Sequence, residues 1–437
     1  MRLTRSLIVY GIAGFGLAAL IGLCAAAFVV YEPQIDSVAR PSPDSFDPAM
    51  VVRGAQLASL GDCIVCHSSD GGRPFAGSKA LPTPFGTLYS DNITPDEQTG
   101  IGNWSFAAFQ RAMTQGVARD GSHLYPALPY EHFSHVDDDD LKAVYAFLMT
   151  RQPVEQTQPK NDLLPGLGFR PLLAGWKLLF LRETSFSPDA AQSAEWNRGK
   201  YLVDGLGHCG GCHTPRNLLG AEGRFADLQG GVAEGWIAPA LDASNPSANR
   251  WDTASLFEYL KNGVAKGHSA AAGPMGPVAE GLSRVADADV QAISVYINSR
   301  MHPQNGAAVH ANAVKAVVED RAAAPVADPT LLRAGDLFAG ACGGCHERGA
   351  PMEVAGRPPL SSVSDILMAD PRNAIQAVLQ GVTAPSRRGP YMPAFANTLT
   401  DQQIADLLAY VRVRSTDAPV WPDLAAKISA IRKENVQ

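Results

Sequence analysis

Cys63-Ile64-Val65-Cys66-His67, Cys209-Gly210-Gly211-Cys212-His213 and Cys342-Gly343-Gly344-Cys345-His346 are three copies of one pattern, Cys-x-x-Cys-His. Together they use six of the chain's seven cysteines. The spacing places two thiols to add across the two vinyl groups of a haem, and the histidine that follows supplies an imidazole to the iron. Zinc knuckles would pair two Cys-x-x-Cys units at close range, whereas these units lie more than a hundred residues apart. A thioredoxin-like dithiol expects one motif in a βαβ setting, which is absent. The pattern therefore predicts three covalently bound c-type haems. Cys63, Cys66, Cys209, Cys212, Cys342 and Cys345 are the attachment points, and His67, His213 and His346 the proximal ligands.

Each motif opens a unit of the same design. Upstream lies a short helical stretch with a glycine: Arg53–Leu57, Arg198–Leu202 and Arg333–Phe338. Downstream, Ser105–Val117, Asp252–Val264 and Asp370–Val382 carry apolar residues at helical spacing and close on Gly-Val, a helix stop. A third helix follows at Leu141–Met149, Val290–Ser299 and Ile404–Arg412, with Phe147, Tyr296 and Tyr410 at one register. This aromatic is expected to pack the last helix across the first. The order is similar to the small all-α cytochrome c fold. The fold expectation is all-α: three tandem cytochrome c-like domains, 45–151, 191–301 and 329–416, after an N-terminal transmembrane helix. Linkers 152–190 and 302–328 separate them, and 417–437 is read as a tail.

A haem that only relays electrons keeps a fixed second axial ligand. Met275 lies eleven residues past Val264 and Met392 ten past Val382, each in a loop before the third helix. A methionine there can also serve as core filling, but the shared register favours ligation. The same count from Val117 reaches Leu128, which cannot bind iron. His132, one turn on, is the first choice for the first haem; His123, His135 or an open iron are the alternatives. His123 and His135 are read as surface residues or propionate partners. Imidazole donates more strongly than thioether, so a bis-histidine first haem would have the lowest potential.

Leu7–Tyr31 is an uncharged run preceded by Arg2 and Arg5. As a helix it extends about 37 Å, enough to cross a hydrocarbon core of about 30 Å. With the basic end in the cytoplasm, residues 1–36 read as a membrane anchor, the alternative being a signal segment cleaved near Ala25-Ala26-Ala27. Either reading puts the haems outside the cytoplasm, on the periplasmic side of the inner membrane. The formal charge of −7 and the lack of a basic tract argue against nucleic acid as a partner. Asp137–Asp140 reads as a helix start, Arg216 and Asn217 as propionate partners or a solvated loop. Leu163–Leu181 is apolar enough to lie on a membrane, on a partner, or on its own domains.

Asn92-Ile93-Thr94-Pro95-Asp96, His123-Leu124-Tyr125-Pro126-Ala127, Gly207-His208-Cys209 through Pro215-Arg216-Asn217, and Gly389-Pro390-Tyr391-Met392-Pro393 carry a resemblance. After the N-terminal run, the chain resembles the three-haem cytochrome c subunits of membrane-bound bacterial dehydrogenases. Relatives serve alcohol, gluconate, fructose and sorbitol dehydrogenases, and molybdenum hydroxylases acting on aldehydes or N-heterocycles. The resemblance implies a non-catalytic electron relay from a separate dehydrogenase subunit through three haems to membrane ubiquinone or an oxidase. A methionine stands at the position of Leu128 in the alcohol-dehydrogenase relatives, so its absence tilts the reading toward a molybdenum-type aldehyde dehydrogenase partner. The rivals are a haem peroxidase using an open first haem, an oxidase subunit, and a free-standing membrane cytochrome.

Overall fold

The computed structural model describes residues 30–182, 184–266, 268–303, 328–347, 349–352, 360, 363–383 and 391–435. Its first helices are α1 (Pro48–Leu60) and α2 (Cys63–Cys66), the latter holding the first motif. A hairpin of β1 (Ala80–Thr83) and β2 (Gly86–Tyr89) follows, then α3 (Phe106–Gln115), α4 (Tyr130–Phe133) and α5 (Asp138–Met149). Ser105 caps α3 by accepting from the Ala108 N–H, and Gly116 ends it in the left-handed region, φ 60°. The four aspartates start α5 as expected, and Asp140 pairs with Arg53 at 3.3 Å. Beyond them, β3 (Asp162–Leu163) joins the edge of β2, and α6 (Leu172–Phe180) sets Trp176 edge-on to Tyr130.

The second motif lies between α7 (Ala194–Asp204) and a second hairpin, with α8 (Gly210–His213) inside it. The hairpin pairs β4 (Gly231–Ala233) with β5 (Trp236–Ala238). Its two-residue turn, Glu234 (φ 48°) and Gly235 (φ 76°), has the positive angles that match strand twist. Then come α9 (Thr253–Asn262), α10 (Met275–Leu282) and α11 (Asp287–Met301). The third motif repeats the plan: α12 (Pro329–Ala341), α13 (Gly343–His346), α14 (Ser364–Leu367), α15 (Arg372–Gln380), the strands β6 (Val382–Thr383) and β7 (Tyr391–Met392), and α16 (Asp401–Ser415). A last helix, α17 (Leu424–Glu434), buries Leu424, Ile428 and Ile431 in the core of this third repeat.

In every repeat the first and last helices cross at the predicted glycine. A Cβ on Gly54 would overlap the Ala143 carbonyl and come 2.8 Å from Cβ of Phe147; one on Gly199 would overlap the Ala292 carbonyl and come 2.8 Å from Cβ of Tyr296. A Cβ on Gly335 would come 3.1 Å from the Tyr410 ring. Glycine is what lets the backbones meet this closely.

Two compact units emerge, Met1–Ala55 with Cys66–Phe186, and Gln56–Val65 with Ser187–Gln437. The expectation of an all-α chain behind a transmembrane helix is corrected. Among the described residues, three small antiparallel sheets, β1-β2-β3, β4-β5 and β6-β7, interrupt the helices. Among the described residues, no helix is long and apolar enough to cross a membrane. The run Leu7–Tyr31 lies, apart from its last two residues, outside the described residues, as do the core of linker 302–328 and Gly389-Pro390. The strands escaped the helical reading because they are two to four residues long, too short to show alternation.

Candidate haem sites

Each motif forms one short helical turn after a longer helix, so the two cysteines and the histidine project from a single turn. None of the six cysteines is in a disulfide. Burial pushes the Cys209 thiol up to about 12 and the Cys342 thiol up to about 11; it also raises Cys212. Burial thus keeps these three thiols neutral in the chain by itself. Among the described residues, no three His, Cys, Asp or Glu side chains converge as a metal site.

The histidines are oriented from outside the motif. Nδ1 of His67 lies 2.7 Å from the Asp91 carbonyl oxygen, and Nδ1 of His213 lies 2.6 Å from that of Pro239. An Nδ1–H donated to a carbonyl fixes the tautomer that presents Nε2 as a lone-pair donor, the state an iron ligand needs. Burial also holds both imidazoles below the usual histidine range, which keeps them neutral. The donor set, two addable thiols beside one oriented neutral imidazole, fits c-type haem. When bound, that group supplies the one-electron chemistry, and the chain supplies attachment, orientation and burial.

Sequence reasoning missed the two carbonyls. Each follows a hairpin: Asp91 comes two residues after Tyr89 at the end of β2, and Pro239 two after Ile237 in β5. The signal lay in the resemblance segment itself, because Asn92 locks the loop beyond Asp91. Its buried Oδ1 accepts from the Thr94 N–H (2.9 Å) and hydroxyl (2.7 Å), while Nδ2 donates to the Val154 carbonyl (2.7 Å). Arg216 braces the second motif directly, donating to the Gly211 carbonyl at 2.9 Å and pairing with Glu222 at 3.5 Å.

Among the expected second ligands, Met275 is half-buried and opens α10. Its loop is pinned at Gly273 (φ 52°), where an added Cβ would come 2.5 Å from the Trp236 ring. Met392, in β7, and Cys342 of the third motif each pack against the core of the third repeat. His132 is half-buried on α4. His123, read as a surface residue or a propionate partner, is not at the surface: it is buried at 3% exposure, with Nε2 3.0 Å from the Val30 carbonyl. Both nitrogens of His135 are engaged, Nδ1 with the His132 carbonyl at 3.1 Å and Nε2 with the Thr184 hydroxyl at 2.7 Å.

Within the second unit, residues around the first motif lie beside the second. A Cβ on Gly61 would come 3.3 Å from the Leu206 carbonyl, and Gly281 abuts that of Ser59. The Asp62 carboxylate is close enough to Cys212 to help raise its thiol.

Thiols, oriented imidazoles and glycine-crossed helices of this kind define a c-type cytochrome. The cytochrome c family model matches residues 51–152 and 333–415. The chain is 46% identical over 425 residues to one of the nicotinate dehydrogenase subunits of Pseudomonas putida, covering 96% of this chain and 34% of that protein. It thus spans about a third of that relative's length. It is 36% identical to the gluconate 2-dehydrogenase cytochrome c subunit of Pantoea cypripedii, covering 91% of this chain and 93% of that one. To the fructose dehydrogenase cytochrome subunit of Gluconobacter japonicus it is 35% identical, covering 90% and 86%. The chain belongs to the cytochrome c subunits of dehydrogenase complexes, and it carries covalently bound haem for electron transfer.

Proposed function

We propose that this chain is a three-haem relay, working on the periplasmic side of the cytoplasmic membrane, that takes electrons from a separate dehydrogenase subunit and delivers them to ubiquinone or a terminal oxidase. The observation that carries the reading is the threefold recurrence of one haem-binding unit in a chain similar along nearly its whole length to dehydrogenase cytochrome subunits. The partner is a molybdenum-type hydroxylase of aldehydes or N-heterocycles. Supporting this are the 46% identity to a nicotinate dehydrogenase subunit, against 34–36% for the gluconate, fructose and alcohol relatives, and Leu128 at the expected ligand position. Met275 and Met392 complete the second and third irons, and His132 the first.

Affinity purification of the tagged chain from its native membranes tests the partnership. A companion chain with hydroxylase activity that reduces the haems on substrate addition is the expected result. A companion with quinoprotein or flavin activity overturns the partner class, and a chain purified alone, with substrate-dependent quinone reduction undiminished by its deletion, overturns the relay. Ligation is tested by His132→Ala, which should alter the low-spin EPR signal of the first haem alone; an unchanged spectrum refutes His132.

A further inference from the structure

The two hairpins that orient the proximal histidines share a feature that neither motif nor resemblance marks. In the first repeat the N–H of Tyr89 donates to Oδ1 of Asn161 at 2.8 Å, and Tyr89 lies two residues before the Asp91 carbonyl that takes His67. In the second the N–H of Ile237 donates to Oδ1 of Asn373, also at 2.8 Å, and Ile237 lies two residues before the Pro239 carbonyl that takes His213. The two asparagines come from unrelated places. Asn161 precedes β3 in the segment after the first repeat, whereas Asn373 stands on α15 of the third repeat.

Asn373 makes the fuller clamp. Its Nδ2 returns a bond to the Ile237 carbonyl at 2.9 Å, so one side chain pairs with both backbone groups of a strand residue, as a neighbouring strand would. The side chain is 6% exposed, and the same Nδ2 also donates to Asp365 Oδ1 at 3.3 Å. The strand it grips borders the surroundings of both expected ligands of the second haem. Pro239 takes the proximal imidazole, and Trp236 packs on Gly273, two residues before Met275.

We propose that Asn161 and Asn373 are positioning residues for the proximal imidazoles of the first and second haems, and that Asn373 couples the second haem to the folded third repeat. The proposal rests on the haem-binding reading above. A firmly placed carbonyl strengthens the imidazole as a donor and stabilises ferric iron. Loosening the strand should therefore raise the potential of the haem concerned.

The test is EPR-monitored potentiometry of the full chain, with each haem identified by its absence from a Cys63→Ala/Cys66→Ala or Cys209→Ala/Cys212→Ala variant. Asn373→Ala should raise the second potential by a factor of about three in the reduction equilibrium constant, about 28 mV at 59 mV per tenfold for one electron, with the first unchanged. Asn161→Ala, at a half-buried site outside the helical core, should do the same to the first haem alone. Gln376→Ala loosens the same docking at the Gly235 carbonyl without touching Ile237, and should leave the second potential in place. Unchanged potentials in both asparagine variants, or an equal shift in Gln376→Ala, overturn the proposal. If Asn373→Ala loses its third haem, Asn161→Ala decides. A pyridine haemochrome count below three in the unmodified chain defeats the relay reading instead, and so separates the two failures.

Discussion

At Gly54 and Gly199 one missing side chain sets how closely two helices approach, and the cost of restoring it follows from what it would meet. The obstacles are backbone carbonyls of the opposite helix, which cannot rotate aside. Gly54→Ala and Gly199→Ala should each destabilise the protein by about 1–3 kcal/mol, the usual penalty for overpacking a well-filled contact. Gly335→Ala should cost less, because the tip of the Tyr410 ring can shift. Denaturant melts followed in the Soret band would show this order; equal costs at all three positions would contradict it. These glycines were legible in the sequence because they recur beside the motifs. So was the aromatic partner, which recurs at one register. The Asp91 and Pro239 carbonyls were not, since any residue supplies a carbonyl and only the hairpin path places it. Asn373 was equally hidden, lying well over a hundred positions from the strand it holds.

Among the elements, helices were easier to read than the pieces joining them. Ser105 and Asp252 cap α3 and α9 at the residues where the pattern starts, and Gly116 and Gly263 end them in the left-handed region. The hairpins left no comparable trace in strands so short. The segment after α9 carries a pH prediction of its own. His268 stacks on Trp251, ring centroids 3.7 Å apart, and burial together with Arg250 lowers it to about 4, against the opposing pull of Asp252 and Glu258. Between about 4 and the ordinary histidine value near 6.5, the unfolded chain binds the proton and the folded chain does not, so stability falls as pH drops through that window. Replacing His268 by phenylalanine should flatten the dependence between pH 6.5 and 4, measured as the chemical-denaturation midpoint; an unchanged slope would clear His268. The helix α17 makes the second prediction at this scale. It buries Ile428 completely and Ile431 to 3% exposure, and Arg432 ties it to Asp401 at 2.8 Å. With each buried aliphatic side chain contributing about 1.5–3 kcal/mol, truncation after Thr416 should unfold the third repeat, seen as loss of its haem from the pyridine haemochrome count.

For the molecule as a whole, the two hairpins divide the haem sites by what supports them. The strand leading to Asp91 is completed by β3 and Asn161, both within the first unit. The strand leading to Pro239 is completed by Asn373, Gln376 and Arg372, all on α15 of the third repeat. On the proposed three-haem reading, removing the third haem should therefore have unequal consequences upstream. The third core includes Phe338 and Ile375 and packs on Cys342, so it forms around that haem's attachment point. A Cys342→Ala/Cys345→Ala chain should retain two haems by pyridine haemochrome, because the other motifs have their own helices and carbonyl acceptors. Without its haem the third repeat loosens α15, and the second potential should rise as it does in Asn373→Ala, by the same factor of about three. The first potential should stay where it was. Potentiometry of this two-haem chain settles the matter: a second haem indifferent to loss of the third would mean that α15 stays docked without it, and equal shifts at both remaining haems would mean that the coupling runs through general electrostatics and not through the strand.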